Sequence, residues 1–319
     1  MVWQGDTSME IDYDIIVIGG GIAGITAAQY AARENLKTLV IEELAAGGQA
    51  LLVHELEDYP GYADPVSGID FAMRMERQAR NFGVDFEIAS VTEIKKSGET
   101  FQIKTDKGEH ACRGAVIATG SKHKKLGIQG ETEFTGKGVS YCGSCDGPFF
   151  KNRKILVIGG GDKACEEAEY LAKLTDKLTI VHRGDSFSGQ RALGTRLMMN
   201  QRANILFSTE CREIRGTDRV RSVLIENTLT NDTSELQIDG VFIFVGSEPR
   251  SELLPDVKKN SEGYIITDGS LCTSVPGLYA AGDVREMQFR TMVAGSADGA
   301  VAGHNLARYI LEKERKPKK

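Results

Sequence analysis

Two copies of one strand–glycine turn–helix–strand unit predict an α/β chain built from two Rossmann-like three-layer dinucleotide-binding domains, the second inserted into the first. Three observations carry this. The first copy opens the chain and a complementary Gly-Asp segment closes it. The second copy lies between them, with the same internal spacing. Each crossing between the two regions falls on a glycine that follows an apolar strand. At 319 residues the chain also exceeds what one hydrophobic core usually supports.

The first copy starts with Asp14-Ile15-Ile16-Val17-Ile18, a β-branched run suited to a buried parallel strand. It passes into Gly19-Gly20-Gly21-Ile22-Ala23-Gly24 and an Ala-rich helical pattern from Ile25 to Arg33. Gly19, Gly21 and Gly24 permit a tight turn, close approach to a pyrophosphate and close helix–strand packing. The helix start then offers free N–H groups and a positive dipole end. Thr38-Leu39-Val40-Ile41 follows and ends at Glu42, whose carboxylate can accept from ribose hydroxyls and repels a ribose phosphate.

The second copy reads Lys154–Ile158, Gly159-Gly160-Gly161-Asp162-Lys163-Ala164, a helical Cys165–Leu174, then Leu178–Val181. Gly159, Gly161 and Ala164 occupy the motif positions. Gly19 to Glu42 and Gly159 to His182 are both 23 positions, so the repeat is in register over the whole unit. Where the first copy has Glu42, the second has His182-Arg183, which can accept a 2′-phosphate. The first is therefore read as an FAD site and the second as a nicotinamide site, for NADPH or NADH.

Two more stretches fit the flavin reading. Gly47, Gly48 and Gln49 form a loop able to approach a cofactor. Gly277–Asp283 is an apolar strand ending in Gly282-Asp283, ahead of a small-residue helix from Gly295 to Ala307; Asp283 can bind a ribityl hydroxyl or serve as a turn residue. The crossings fall at Ala118-Thr119-Gly120-Ser121 and Val245-Gly246-Ser247. The expected domains are residues 1–118 with 248–319 for FAD, and 119–247 for the nicotinamide cofactor and the thiol pair.

That pair is Cys142-Gly143-Ser144-Cys145, followed by Asp146. Two thiols separated by two residues can close a small-loop disulfide, and a thiolate attacks other disulfides, so the spacing suits reversible dithiol–disulfide exchange. Zinc is the alternative reading, in a flavin- or nucleotide-binding sensor or structural protein. It requires four ligands. His110 and Cys112 would have to complete the set with H-x-C spacing, and Asp146 would have no part, so no metal is expected. Cys112, Cys165, Cys211 and Cys272 read as small buried apolar residues. His54, His110, His123 and His304 read as surface or core-satisfied, and Phe149-Phe150 and Met198-Met199 as packing residues.

Composition excludes other classes. Hydrophobic residues at 41% and charged residues at 26% describe a globular protein, and a net charge of −6 disfavours general nucleic-acid or anionic-membrane binding. No run approaches a membrane span, Met1–Glu10 lacks an apolar signal core, and a cytoplasmic location is expected. Lys313–Lys319 reads as a solvated, frayed end.

Taken in order, Gly19-x-Gly21-x-x-Gly24, Gly47-Gly48-Gln49, Ala118-Thr119-Gly120, Cys142-Gly143-Ser144-Cys145-Asp146-Gly147, Gly159-x-Gly161-x-x-Ala164 and Ala281-Gly282-Asp283-Val284 resemble the low-molecular-weight thioredoxin reductases over nearly the whole chain. The resemblance implies FAD, a redox disulfide in the inserted domain, a homodimer, and thioredoxin or a thioredoxin-like protein as partner. It places Cys145 nearer the flavin, Cys142 as its disulfide partner, Asp146 as the acid–base group for the thiol proton, and Arg290 against the flavin. Relative to the family pattern, Gly184 and Ser188 replace two arginines that would clamp a 2′-phosphate, with Arg191 as a displaced substitute. Thr291 replaces a glutamine and Asp58 an asparagine. The arginine losses point to weaker selection of NADPH over NADH, or to a non-nucleotide donor such as reduced ferredoxin. The expected path runs from donor to FAD, to Cys142–Cys145, to the partner's disulfide, with the middle domain rotating about its two crossings.

Overall fold

The computed structural model describes residues 10–315. Two compact units emerge: residues up to Lys122 together with those from Glu248 onward, and His123–Ser247. In chain order the first unit contributes β1 (Tyr13–Ile18), α1 (Ile22–Ala32), β2 (Thr38–Glu42), α2 (Gly68–Asn81), β3 (Asp85–Ile88), β4 (Val91–Ser97), β5 (Thr100–Thr105), β6 (Glu109–Ile117) and, at the crossing, β7 (Ser121–His123).

The second unit supplies β8 (Val139–Ser140), α3 (Gly143–Asp146), β9 (Ile155–Gly159), α4 (Asp162–Leu174), β10 (Leu178–Val181), α5 (Arg191–Met198), β11 (Ala203–Leu206), β12 (Thr209–Gly216), β13 (Val220–Asn227), β14 (Thr233–Gln237) and β15 (Gly240–Phe244). The chain then returns through β16 (Ser247–Pro249), which pairs with β7, to β17 (Leu278–Ala280) and α6 (Met292–Arg315).

In the first unit β3, β2, β1 and β6 run side by side and parallel, with Ile15–Ile18 opposite Thr38–Ile41 on one side and Gly114–Ile117 on the other. The far edge of β6 is shared, β5 pairing antiparallel with its first half and β17 parallel with its end. Ile15, Ile16 and Val17 are fully buried, as a strand covered on both faces must be. Ile15 and Val17 join α1 and α6 in one core, and Ile16 and Ile18 face a second core that includes Leu254, Val257 and Ile265. The two helices touch backbone to backbone: a Cβ on Gly303 would stand 2.1 Å from the Ala27 carbonyl oxygen. The Ala- and Gly-rich composition of both helices is what permits that approach.

The second unit is a parallel sheet in the order β11-β10-β9-β15-β8. Helices α4 and α5 pack Ala168, Leu171, Leu193 and Leu197 on one face. On the other face the antiparallel β12-β13-β14 sheet contributes Ile214, Val223 and Ile225. The chain thus folds as two α/β Rossmann-like units, the second interrupting the first in sequence.

Two expectations are corrected. The last helix does not stop at Ala307; it runs to Arg315, so Lys313–Arg315 is not frayed. Lys313 is held there by an ion pair with Glu99 and lies 4.6 Å from the centre of the Tyr309 ring. The remainder of that basic segment and the polar Met1–Ser8 stretch with Met9 lie outside the described residues. Phe149, Met198 and Met199 are not packing residues: they are 80%, 57% and 78% exposed. The inward face of α5 is set by Leu193 and Leu197, four apart, so the next two positions point outward. Phe150 does pack, edge-on against Phe242.

Candidate active site

The first glycine turn is built by contacts that admit no side chain. Gly19 has φ +101°, and a Cβ there would stand 2.3 Å from the Ala118 carbonyl oxygen; one on Gly24 would stand 1.9 Å from the Gly19 oxygen. Gly21, the N-cap of α1, instead opens onto space, with no atom within 4 Å of where a Cβ would lie. The start of an eleven-residue helix therefore faces an open cradle with its first N–H groups free for an anion. Glu42 ends β2 beside it, its carboxylate accepting from the Gly20 N–H at 2.7 Å and the Leu44 N–H at 3.1 Å. The Gly47 N–H donates to the Gly20 carbonyl at 2.7 Å, which brings the Gly47–Gly48 loop against the turn.

A residue that sequence reading assigned only to the crossing ties the rest of this region together. Buried Ser121 accepts from the Gln49 amide through its carbonyl (3.0 Å) and hydroxyl (3.3 Å), and its hydroxyl donates to Asp283 at 3.3 Å. The preceding Gly120 is left-handed, φ +69°, and opens onto space. The Gly282 N–H donates to Asp298 at 3.0 Å, and Asp298 also pairs with Arg285 at 3.0 Å. Ser121→Ala is expected to cost about 1 kcal/mol, the scale of hydrogen bonds at these lengths, read as a lower Tm with an unchanged denaturant slope. Arg290 stands apart from this network, its guanidinium 4.2 Å from the centre of the Tyr264 ring.

The second glycine turn repeats the open N-cap at Gly161, ahead of the thirteen-residue α4. Ala164 is buried at its base, 2.9 Å from where a Cβ on Gly159 would be. His182 does not project into solvent. Its ring covers Gly160, where a Cβ would meet Nδ1 at 2.3 Å, and lies among Phe187 and Phe207. Burial first, then the Arg183 charge, hold its imidazole below the ordinary value, so it is neutral at pH 7. Arg183 is exposed. Ser188 is tied back to the turn, its N–H donating to the Gly160 carbonyl at 2.8 Å.

The thiol pair is a disulfide, Cys142–Cys145, with Cα atoms 5.4 Å apart, spanning the short α3 turn. Cys142 is the N-cap; its Sγ accepts from the Cys145 N–H at 3.2 Å, and its own N–H donates to Ser140 Oγ at 3.1 Å. Cys145 is exposed, Cys142 and Asp146 half-buried. Burial pushes three of the four other thiols, Cys112, Cys165 and Cys211, each to about 12, so they stay protonated and unreactive; Cys272, expected to be buried, is only half-buried, and burial raises its thiol too. Among the described residues no group of three His, Cys, Asp or Glu side chains could hold a metal ion.

A disulfide turn packed on the helix that one dinucleotide-type turn opens, in a chain carrying a second such turn, is the arrangement of a flavin–disulfide enzyme. The profile described as pyridine nucleotide-disulphide oxidoreductase matches residues 13–299. A thioredoxin reductase of Treponema pallidum is 49% identical over 302 residues, covering 95% of this chain and 98% of that protein. The crystal structure of Lactococcus lactis thioredoxin reductase in its FR conformation superposes with a TM-score of 0.92 at 39% identity, covering 94% and 99%. That of T. acidophilum thioredoxin reductase gives 0.89 at 32% identity, covering 94% and 99%. The chain belongs to the low-molecular-weight thioredoxin reductase family.

Within this thioredoxin reductase fold, Cys142–Cys145 matches the family's redox-active segment, and the chain is an oxidoreductase of the flavin–disulfide type. Beyond Ser121, two carboxylates near the disulfide gave no signal in the sequence. Glu131 is 1% exposed and accepts from the Leu126 N–H (2.9 Å), the Gly127 N–H (2.7 Å) and the Tyr141 hydroxyl (2.8 Å). It thereby fixes the residue preceding Cys142, whose ring also stacks on His123 at 3.7 Å. Glu167 on α4 accepts from the backbone of the α3 turn itself. No helix among the described residues is long and apolar enough to cross a membrane.

Proposed function

We propose that the chain is a thioredoxin-disulfide reductase in which reducing equivalents from NADPH or NADH reach the Cys142–Cys145 disulfide through FAD and leave it for a thioredoxin-like protein. The observation that carries this is the disulfide at the head of a helical turn, inside a unit with its own open glycine turn. Gly19, Gly21, Gly24, Glu42, Gly47, Gly48, Gln49, Ala118, Gly120, Gly282, Asp283 and Arg290 would hold FAD. The cradle at Gly21 and the hydrogen-bonded Gln49–Ser121–Asp283 set fit a pyrophosphate and a polyhydroxyl chain. Gly159, Gly161, Ala164, His182 and Arg183 would hold the nicotinamide cofactor. When bound, FAD supplies the two-electron chemistry that links a nicotinamide to a disulfide.

The residues' own tasks follow. Once reduced, the Cys142/Cys145 dithiol attacks the partner's disulfide and re-forms its own S–S bond as the partner's two sulfurs leave as thiols, and Asp146, next in the chain, holds or releases the thiol proton. The exposed Cys145 is the sulfur a protein partner reaches more readily. A homodimer in the cytoplasm completes the proposal; sedimentation of the flavoprotein as a monomer would contradict the first part.

Donor choice rests on charge at the end of β10. Arg183 is a single guanidinium, with Asp185 two positions on and Ser188 turned back onto Gly160. One cation against a nearby carboxylate gives a 2′-phosphate little net attraction, which favours NADH or leaves the two donors comparable. Ser188→Arg is expected to lower the KM for NADPH about tenfold, one charge-assisted contact, with the NADH value nearly unchanged. Equal changes for both would contradict this placement. Gly184 and Ser188, standing where the family pattern has arginines, also support a second reading, a non-nucleotide donor such as reduced ferredoxin. Anaerobic addition of NADH, NADPH and reduced ferredoxin in turn, following the flavin absorbance, separates the readings.

A further inference from the structure

Glu167 projects from α4 to the disulfide turn, and its carboxylate accepts the backbone N–H groups of Gly143 and Ser144, the two residues between the sulfurs. Contact is close enough that a Cβ on Gly143 would stand 2.2 Å from Glu167 Oε2. A helical turn leaves its first N–H groups unpaired, and in a dithiol turn these are the donors that stabilise a thiolate at the leading cysteine. Here two of them are already committed to an anion. Cys142 Sγ is left with the Cys145 N–H at 3.2 Å and the Ser144 hydroxyl at 3.4 Å.

The carboxylate's surroundings do little to offset its charge. Lys163, one turn earlier on α4, is the cation acting on it, and burial outweighs both that charge and the two N–H groups, pushing the carboxyl above its ordinary value. Glu166 and Tyr170 share its helix, and Asp146 ends the turn it faces. The strands beneath α4 present Ile155, Val157, Leu178, Ile180 and Phe242; α5 meets α4 through Leu193, Leu197 and the Arg196–Glu169 pair. The turn after α3 contributes Phe150.

We propose that Glu167 is a positioning residue of the redox centre: by occupying the N–H groups of Gly143 and Ser144 with a carboxylate, it denies them to a thiolate and holds reduced Cys142 in the thiol form near neutral pH. This rests on the reading that the disulfide opens in the working enzyme. A thiol at Cys142 attacks slowly, so the dithiol neither re-closes nor reacts with stray oxidants as fast as an unopposed turn would. The gain is a longer-lived reduced state for a protein partner to meet.

The test compares the pH dependence of iodoacetamide alkylation at Cys142 in Cys145→Ser protein, with and without Glu167→Gln, by mass analysis of the peptide carrying residue 142. Glutamine keeps an oxygen for the N–H groups and removes the charge. The expected result is an apparent thiol pKa lower by about one unit, hence about tenfold faster alkylation on the acid limb. A purely structural role would move stability and leave the profile in place. Coincident profiles, or a shift to higher pH, overturn the proposal. Should Glu167→Gln fail to fold, Glu167→Asp, too short to reach both N–H groups, is judged by the same two outcomes. The assay uses no electron donor, so a shifted profile in a protein that reduces no thioredoxin would refute the proposed function and leave this inference standing.

Discussion

Cys145→Ser is expected to abolish reduction of a thioredoxin-like disulfide, by about 10³-fold or more, the order lost when a reacting atom is itself removed. The hydroxyl cannot form the S–S bond that Cys145 makes with Cys142, and at neutral pH it supplies no anion to attack another disulfide. Flavin content and Tm should stay close to the parent protein. Cys145 is exposed at the end of a four-residue turn, and the turn's other supports belong to neighbours: Ser140 holds the Cys142 N–H, and Glu167 holds those of Gly143 and Ser144. Retained turnover would mean that the chain's disulfide is not on the electron path. The remaining thiols cannot substitute, because three are buried and held protonated and Cys272, half-buried, is also pushed up by burial.

The second large effect is on stability. Glu131→Ala is expected to cost about 3–5 kcal/mol, the range for stripping one partner from a buried charged network. It strands the N–H groups of Leu126 and Gly127 and the Tyr141 hydroxyl, all now paired with one carboxylate that is 1% exposed. Burial, then hydrogen bonding to Glu131, push the Tyr141 phenol up to about 12, so it remains a donor across the physiological range. Tyr141→Phe leaves the two N–H partners in place and should cost only about 1 kcal/mol, one ordinary hydrogen bond. Chemical unfolding of the second unit's signal, with both variants in parallel, checks the difference. Because Tyr141 precedes Cys142, the alanine variant should also lose turnover in excess of its fraction unfolded.

What could be read from the sequence, and what could not, divides along local and tertiary lines. The glycine turns at 19–24 and 159–164 were legible because the constraint is local: Gly24 has no room for a Cβ beside the Gly19 carbonyl, whatever the rest of the chain does. The β-branched runs of β1 and β9 declared themselves as strands buried on both faces. Ser121 and Glu167 carried no such mark, since Gln49 lies 72 positions from the one and Gly143 and Ser144 more than 20 from the other; Glu131 was missed because its bonds to the nearby Leu126 and Gly127 N–H groups follow no motif, and only its burial and the Tyr141 hydroxyl give it weight. Met198 and Met199 were misread because apolar character alone does not reveal helix phase, which Leu193 and Leu197 set. The extent of α6 was underread for a related reason: Lys313 looks like a solvated tail until Glu99 and Tyr309 are brought beside it.

Counting electrons shows whether flavin and disulfide form one relay. Anaerobic dithionite titration of the purified flavoprotein, with thiols assayed at each point, needs no assumption about the natural donor. The expected uptake is about four electrons per chain, two for the flavin and two for Cys142–Cys145, falling to about two in Cys145→Ser. Uptake of only two electrons by the parent protein, with the disulfide still closed when the flavin is fully reduced, would contradict the relay.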